Sequence, residues 1–163
     1  MKAFVVTAPK TFEIQDVAEP KAGAGEIIAQ VERGGVCGTD VEFFDGVMPY
    51  LHDGQAKLPM RLGHEWSGTV IAIGEGVSSF ALGDRVSYNG GPLGAYSTER
   101  VMPAAPLFKL PDSVSFEDAA ASFKTESNDP VAVRMQKELN DAIIKLRNAR
   151  QEKDSDYLFY KNI

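Results

Sequence analysis

Cysteine is nearly missing from this chain: Cys37 is the single thiol among 163 residues. One cysteine excludes a disulfide within the chain and any structural zinc site built from several cysteines. An excess of basic charge is missing too. Lys and Arg together number 17 against 23 Asp and Glu, a formal net charge of −6, which argues against nucleic acid or an anionic membrane surface as a partner. No long apolar run and no N-terminal charged-then-apolar segment occur, so a soluble, untargeted chain with no membrane partner is expected. The lone thiol fits a reducing compartment, and the expected location is cytoplasmic. Internal repeats and low-complexity stretches are absent. What remains is 44% hydrophobic and 25% charged, enough for one modest core and too apolar for disorder.

From residue 1 to about 110 the sequence is short, alternating and β-branched, broken by glycine and proline. Segments 3–6, 12–14, 26–32, 67–73, 85–88 and 95–101 are expected strands. Gly74-Glu75-Gly76 and Leu82-Gly83-Asp84 are expected turns, and Asn89-Gly90 between two strand-like runs predicts a hairpin. Many short strands with turns between them suggest a mainly β fold, a closed or partly open barrel. The style changes after residue 111. Residues 112–121 carry a serine N-cap followed by acidic residues and predict a helix start. A polar break at 125–130 leads to a second predicted helix over about 131–153. Met135, Leu139, Ala142, Ile143, Leu146 and Ala149 form one apolar stripe on it, with charged residues elsewhere. Residues 157–160 are a last strand or an aromatic anchor.

The chemistry concentrates in two glycine-bracketed segments, Gly35-Val36-Cys37-Gly38-Thr39-Asp40 and Gly63-His64-Glu65-Trp66-Ser67-Gly68. A cysteine alone is most often a buried small hydrophobe, and a histidine alone a satisfied core residue. Together they offer a thiolate and an imidazole, two of the three protein ligands of a catalytic zinc. His52 sits in a polar loop and reads as solvated. Trp66 reads as packing. Arg61 and Arg85 are candidates to pair with the carboxylates, and Thr39 is a candidate helix cap.

The run Gly63-His64-Glu65, Gly68, Gly74 and Val77 resembles the zinc signature of the medium-chain alcohol and polyol dehydrogenases. Cys37-Gly38-Thr39-Asp40, Gly83-Asp84-Arg85-Val86, Gly94-Ala95-Tyr96 and Leu110-Pro111-Asp112 fall where that family places similar residues. The resemblance covers residues 1–122 and implies a GroES-like catalytic domain, a partly open β-barrel. It leaves 123–163 as a helical tail that covers the barrel or mediates a homodimer. It implies that Cys37, His64 and Glu65 are zinc ligands, with Glu65 on the metal or orienting it from beside. Thr39 would pass the substrate's proton outward, Asp40 would fix a ligand imidazole, and Glu42 stands where some relatives place a relay histidine. In such enzymes zinc acidifies the alcohol, which then surrenders hydride to a nicotinamide.

The sequence departs from that family in three places. The four-cysteine structural zinc lobe after Gly83-Asp84-Arg85-Val86 is missing, and Tyr88-Asn89-Gly90-Gly91-Pro92 spans the gap as an expected hairpin. The third ligand beyond Ala119-Ala120 has no clear counterpart; Glu126 is the nearest carboxylate. A NAD(P)-binding Rossmann domain is not found, since roughly 40 residues follow Ser122 and a single βαβ unit takes about 30 or more. Three functions stay open. The chain is a zinc dehydrogenase domain for a small alcohol or polyol, receiving NAD(P) from a Rossmann domain elsewhere. It is a non-redox zinc enzyme, acting on a carbonyl or water with Glu65 or Glu42 as base. Or it is a non-catalytic scaffold or binding module.

Overall fold

The computed structural model describes residues 1–91 and 93–120, together with Lys137 and Asp141. Two antiparallel sheets carry the fold. β1 (Lys2–Ala8) and β2 (Thr11–Asp16) pair in the smaller one, where Phe4 and Phe12 stack with ring centroids 4.0 Å apart. The larger sheet holds β3 (Glu26–Gly35), β4 (Glu65–Ile73), β5 (Arg85–Asn89), β6 (Glu99–Pro103) and β7 (Phe108–Lys109), in the order β6-β3-β4-β5-β7. Isolated bridges, Ala3 to Ser97 and Val6 to Met60, join the smaller sheet to chain running beside the larger one. The architecture is mainly β and partly open, with no closed barrel among the described residues.

Alternation explains the layering. In β1 Phe4 and Val6, and in β3 Ile27, Ala29 and Val31, turn into the core at every second position. They meet Leu62, Trp66, Val70, Val86 and Tyr96 in one continuous core. Trp66 is fully buried there, which makes it a packing residue. The register of β3 against β4 sets up the site: Gly35 lies opposite Glu65 and Gly34 opposite Trp66. The chain leaving β3 toward Cys37 therefore runs beside the chain that enters β4 from His64.

Two helices between those strands have no counterpart in the sequence pattern, α1 (Gly38–Asp45) and α2 (Pro49–His52). Both are too short for a helical period to stand out against the surrounding β pattern. The serine-capped helix is α3 (Phe116–Ala120), and the capping serine is Ser115, whose Oγ accepts the Asp118 N–H at 3.0 Å. Ser67 Oγ donates to the Phe116 carbonyl at 2.6 Å, and Arg85 donates to the carbonyls of Pro111 and Val114 while covering the Phe116 ring. These bonds seat α3 beside β4 and β5. Arg85 thus binds carbonyls and a ring here instead of the site carboxylates.

The hairpin expected at Asn89-Gly90 does not form. β5 pairs with β4 and β7, and β6 pairs with β3, so the strands flanking Asn89-Gly90 are not neighbours. The Gly90 N–H instead donates to the His64 carbonyl at 2.9 Å. Beyond it, the N–H groups of Gly94, Ala95 and Tyr96 bond to the carbonyls of Leu62 and Gly63. The segment is a crossing loop that lines the Gly63-His64 turn, and it takes up the first half of the strand expected at 95–101.

The helix expected over 131–153, its apolar stripe, the 157–160 segment and the dimer contact assigned to the tail lie outside the described residues. Lys137 and Asp141, two charged positions off that stripe, are helical and exposed. No helix among the described residues is long and apolar enough to cross a membrane.

Candidate metal centre

Cys37 ends the extended chain after β3 and is the N-cap of α1, with φ −103° and ψ 173°. The candidate cap Thr39 falls instead inside the first turn. Asp40, the third helical residue, folds its carboxylate back onto the Cys37 N–H, with Oδ2 accepting at 3.1 Å. That is the reciprocal half of a capping box, and it also puts a negative charge at the positive end of the helix. The other oxygen, Oδ1, accepts the Gly63 N–H at 3.0 Å. One fully buried carboxylate therefore ties together the two segments that carry Cys37 and His64.

Gly63 is required at its place. Its φ is +87°, a region open to glycine, and a Cβ there would lie 2.3 Å from the Tyr96 ring. This tight turn presents His64, whose Nε2 lies 3.3 Å from the Cys37 Sγ. Its Nδ1 is 3.9 Å from the Asp40 Oδ1, too far for a direct hydrogen bond. Asp40 thus acts on the imidazole through the Gly63 backbone instead of gripping the ring itself.

Glu65 opens β4 and is buried at 6% exposure. The ligand atoms of Cys37, His64 and Glu65 all lie within 4.8 Å of one another, the group of three donors that the geometry brings together. Burial, reinforced by the Asp40 charge, raises the Cys37 thiol above its ordinary value, against a hydrogen bond from the Thr39 side chain that pulls the other way. Burial likewise pushes the Glu65 carboxyl up, with the Asp40 charge adding to it and His64 opposing. Neither Asp40 nor Glu65 forms an ion pair with Lys or Arg among the described residues. A bound cation is the group that would relieve such a negative cluster.

Thr39 is exposed near the start of α1. Glu42 is exposed on the same helix and lies outside the donor group. His52 is exposed at the end of α2 and also lies outside it. Arg61 is exposed two residues before Gly63. Glu126 lies outside the described residues. Tyr96 is the contributor that sequence reasoning did not single out. It is fully buried, and its hydroxyl donates to the Gly35 carbonyl at 3.1 Å. Burial, reinforced by the neighbouring Asp40 charge, holds its pKa well above the usual phenol range. The sequence carried Tyr96 only as part of the Gly94-Ala95-Tyr96 match, with no role, because position 96 is more than thirty residues from Cys37 and from His64.

Residues 23–112 match the family described as the alcohol dehydrogenase GroES-like domain. The chain is similar to a quinone oxidoreductase of Pseudomonas aeruginosa, 37% identical over 113 residues, covering 69% of this chain and 33% of that protein. It is also similar to an L-threonine 3-dehydrogenase of Francisella tularensis, 30% identical over 146 residues, covering 74% and 41%. Among solved structures, an alcohol dehydrogenase superfamily protein from Novosphingobium aromaticivorans superposes with a TM-score of 0.68 at 28% identity, over 74% of this chain and 37% of that one. The 2R,3R-butanediol dehydrogenase from Bacillus subtilis gives 0.64 at 28% identity, over 74% and 43%. The chain spans between 33% and 41% of the length of these two curated relatives. With the partly open β fold, the register and the Gly63-His64-Glu65 turn in place, the chain belongs to the alcohol dehydrogenase GroES-like domain family of the medium-chain dehydrogenases.

Proposed function

We propose that this chain is the catalytic-domain part of a zinc-dependent medium-chain dehydrogenase acting on a small alcohol or its carbonyl counterpart. The observation that carries this reading is the convergence of Cys37, His64 and Glu65, with ligand atoms within 4.8 Å of one another. A thiolate, an imidazole and a carboxylate are a donor set suited to zinc, and three protein ligands leave a fourth position for substrate. Zinc held there supplies Lewis acidity to a hydroxyl or carbonyl oxygen.

The chain's own residues do the rest. Asp40 keeps Cys37 and His64 in register through the two backbone amides it binds. Thr39, exposed two residues after Cys37 in the first turn of α1, carries the proton between the substrate oxygen and solvent. Glu42 is three residues further along α1, on the same helix face, and takes the proton next. The nicotinamide is bound by the remainder of a longer polypeptide or by a partner chain. Relatives named L-threonine 3-dehydrogenase and 2R,3R-butanediol dehydrogenase direct the first substrate trials to alcohols, and the quinone oxidoreductase adds quinones.

Zinc content and affinity of the purified chain, beside Cys37→Ser, test this reading. Stoichiometric zinc in the parent chain and its loss in the variant are expected. Equal zinc content in the two, or none in either, overturns the assignment.

A further inference from the structure

We infer that Tyr96 is a positioning residue for the donor trio, acting through Gly35 and Gly63. The inference rests on the reading of Cys37, His64 and Glu65 as a ligand set, but it adds a residue from a different part of the fold. Two contacts meet on this one side chain. Its hydroxyl donates to the carbonyl of Gly35, the β3 residue two places before Cys37. Its ring fills the space a side chain at position 63 would need, so it backs the turn that presents His64.

The backbone completes the arrangement. The Tyr96 N–H donates to the Leu62 carbonyl at 3.1 Å, while its own carbonyl accepts the Phe4 N–H at 2.8 Å. The residue is thereby pinned between β1 and the histidine turn and is 1% exposed. Gly35 lies opposite Glu65 in the sheet and leads through Val36 to Cys37. Without the hydroxyl, the Gly35 carbonyl loses that donor. The end of β3 then gains freedom against the histidine turn, and the sulfur and imidazole lose a common support. A merely space-filling aromatic would contribute the ring alone; the hydroxyl is what couples the end of β3 to the histidine turn.

Tyr96→Phe separates these roles, because it keeps the ring against Gly63 and removes only the hydroxyl. Ile27→Val, which trims the core near the far end of β3, serves as the control for general loosening. Three readouts are taken on the full chain: zinc affinity by chelator competition, the absorption spectrum with Co(II) in place of zinc, and the alkylation rate of metal-free Cys37. With a single cysteine in the chain, that rate reports one site. Tyr96→Phe is expected to weaken zinc about tenfold, within the range seen for residues that support metal ligands. It is also expected to shift the thiolate–Co(II) band and to speed Cys37 alkylation several-fold, while Ile27→Val moves none of these. Parent-like zinc affinity, spectrum and alkylation in Tyr96→Phe overturn the inference, as does an equal change in Ile27→Val. If the parent chain takes up no zinc, the ligand-set reading fails. The positioning role is then judged on alkylation alone: faster modification in Tyr96→Phe sustains it, and an unchanged rate ends it.

Discussion

The Asp40 carboxylate accepts the Gly63 amide at 3.0 Å, joining positions 23 residues apart in the chain. Through its other oxygen the same group caps α1 at Cys37. A negative charge with no exposure is thus spent on two backbone amides, one on each side of the candidate centre.

Asp40→Asn keeps the shape and removes the charge, leaving an NH2 group facing one of those two donors. Loss of a charge-assisted bond to a buried amide is expected to lower stability by about 2 kcal/mol. Urea denaturation measures it. A midpoint within error of the parent would show that the carboxylate ties nothing together.

Gly63→Ala and Gly76→Ala make a matched pair. Both glycines lie at positive φ, +87° and +81°, and nothing lies within 4 Å of a Cβ built at Gly76. Gly76→Ala should cost only the backbone term, about 1–2 kcal/mol. Gly63→Ala should cost that plus the collision with the Tyr96 ring, a further ~1–3 kcal/mol of overpacking. Equal losses in thermal or denaturant unfolding would show that the ring does not restrict position 63.

Acid should weaken the β5–β7 edge through Asp84. Its carboxylate bonds Lys109 Nζ at 2.6 Å and the Ala81 N–H at 2.7 Å, and the Lys109 bond is the main reason its pKa lies below the ordinary 3.8. A carboxylate with a depressed folded pKa contributes stability that is fully present above the unfolded value. That contribution is lost as the pH falls from about 3.8 through the lower folded value. Asp84→Asn is expected to flatten the dependence of stability on pH below about 4, with little change at neutral pH beyond the lost pair. Parallel pH profiles for parent and variant would count against it.

Arg85→Lys should loosen α3. The guanidinium donates to Pro111 and Val114 and lies 4.4 Å from the Phe116 ring centroid, a planar, forked set of contacts that an ammonium cannot reproduce. Faster amide exchange at Ala119, whose N–H bonds the Ser115 carbonyl, is the expected sign, with about 1 kcal/mol of global stability lost. Unchanged exchange at Ala119 would mean that Ser67 and the Arg33–Glu117 pair hold the helix without it.

Alternating β-branched residues made β1, β3, β4 and β5 legible in the sequence, because a period of two reflects which side of a sheet each side chain faces. Ser115 and the acidic turn after it made α3 legible through local capping. The glycines around Cys37 and His64 marked both halves of the centre, since such tight geometry restricts the residue type. Local signals failed at Asn89-Gly90, where a turn-forming pair serves a crossing loop because the Gly90 amide finds the His64 carbonyl. Short-range patterns carried most of the strands and the chemical types at the centre, but not β7, which is two residues long. Packing of distant segments set β6 against β3, Gly35 opposite Glu65, and the Tyr96 ring against Gly63. Those relations depend on hydrogen bonds and packing between residues tens of positions apart, where no local periodicity reaches.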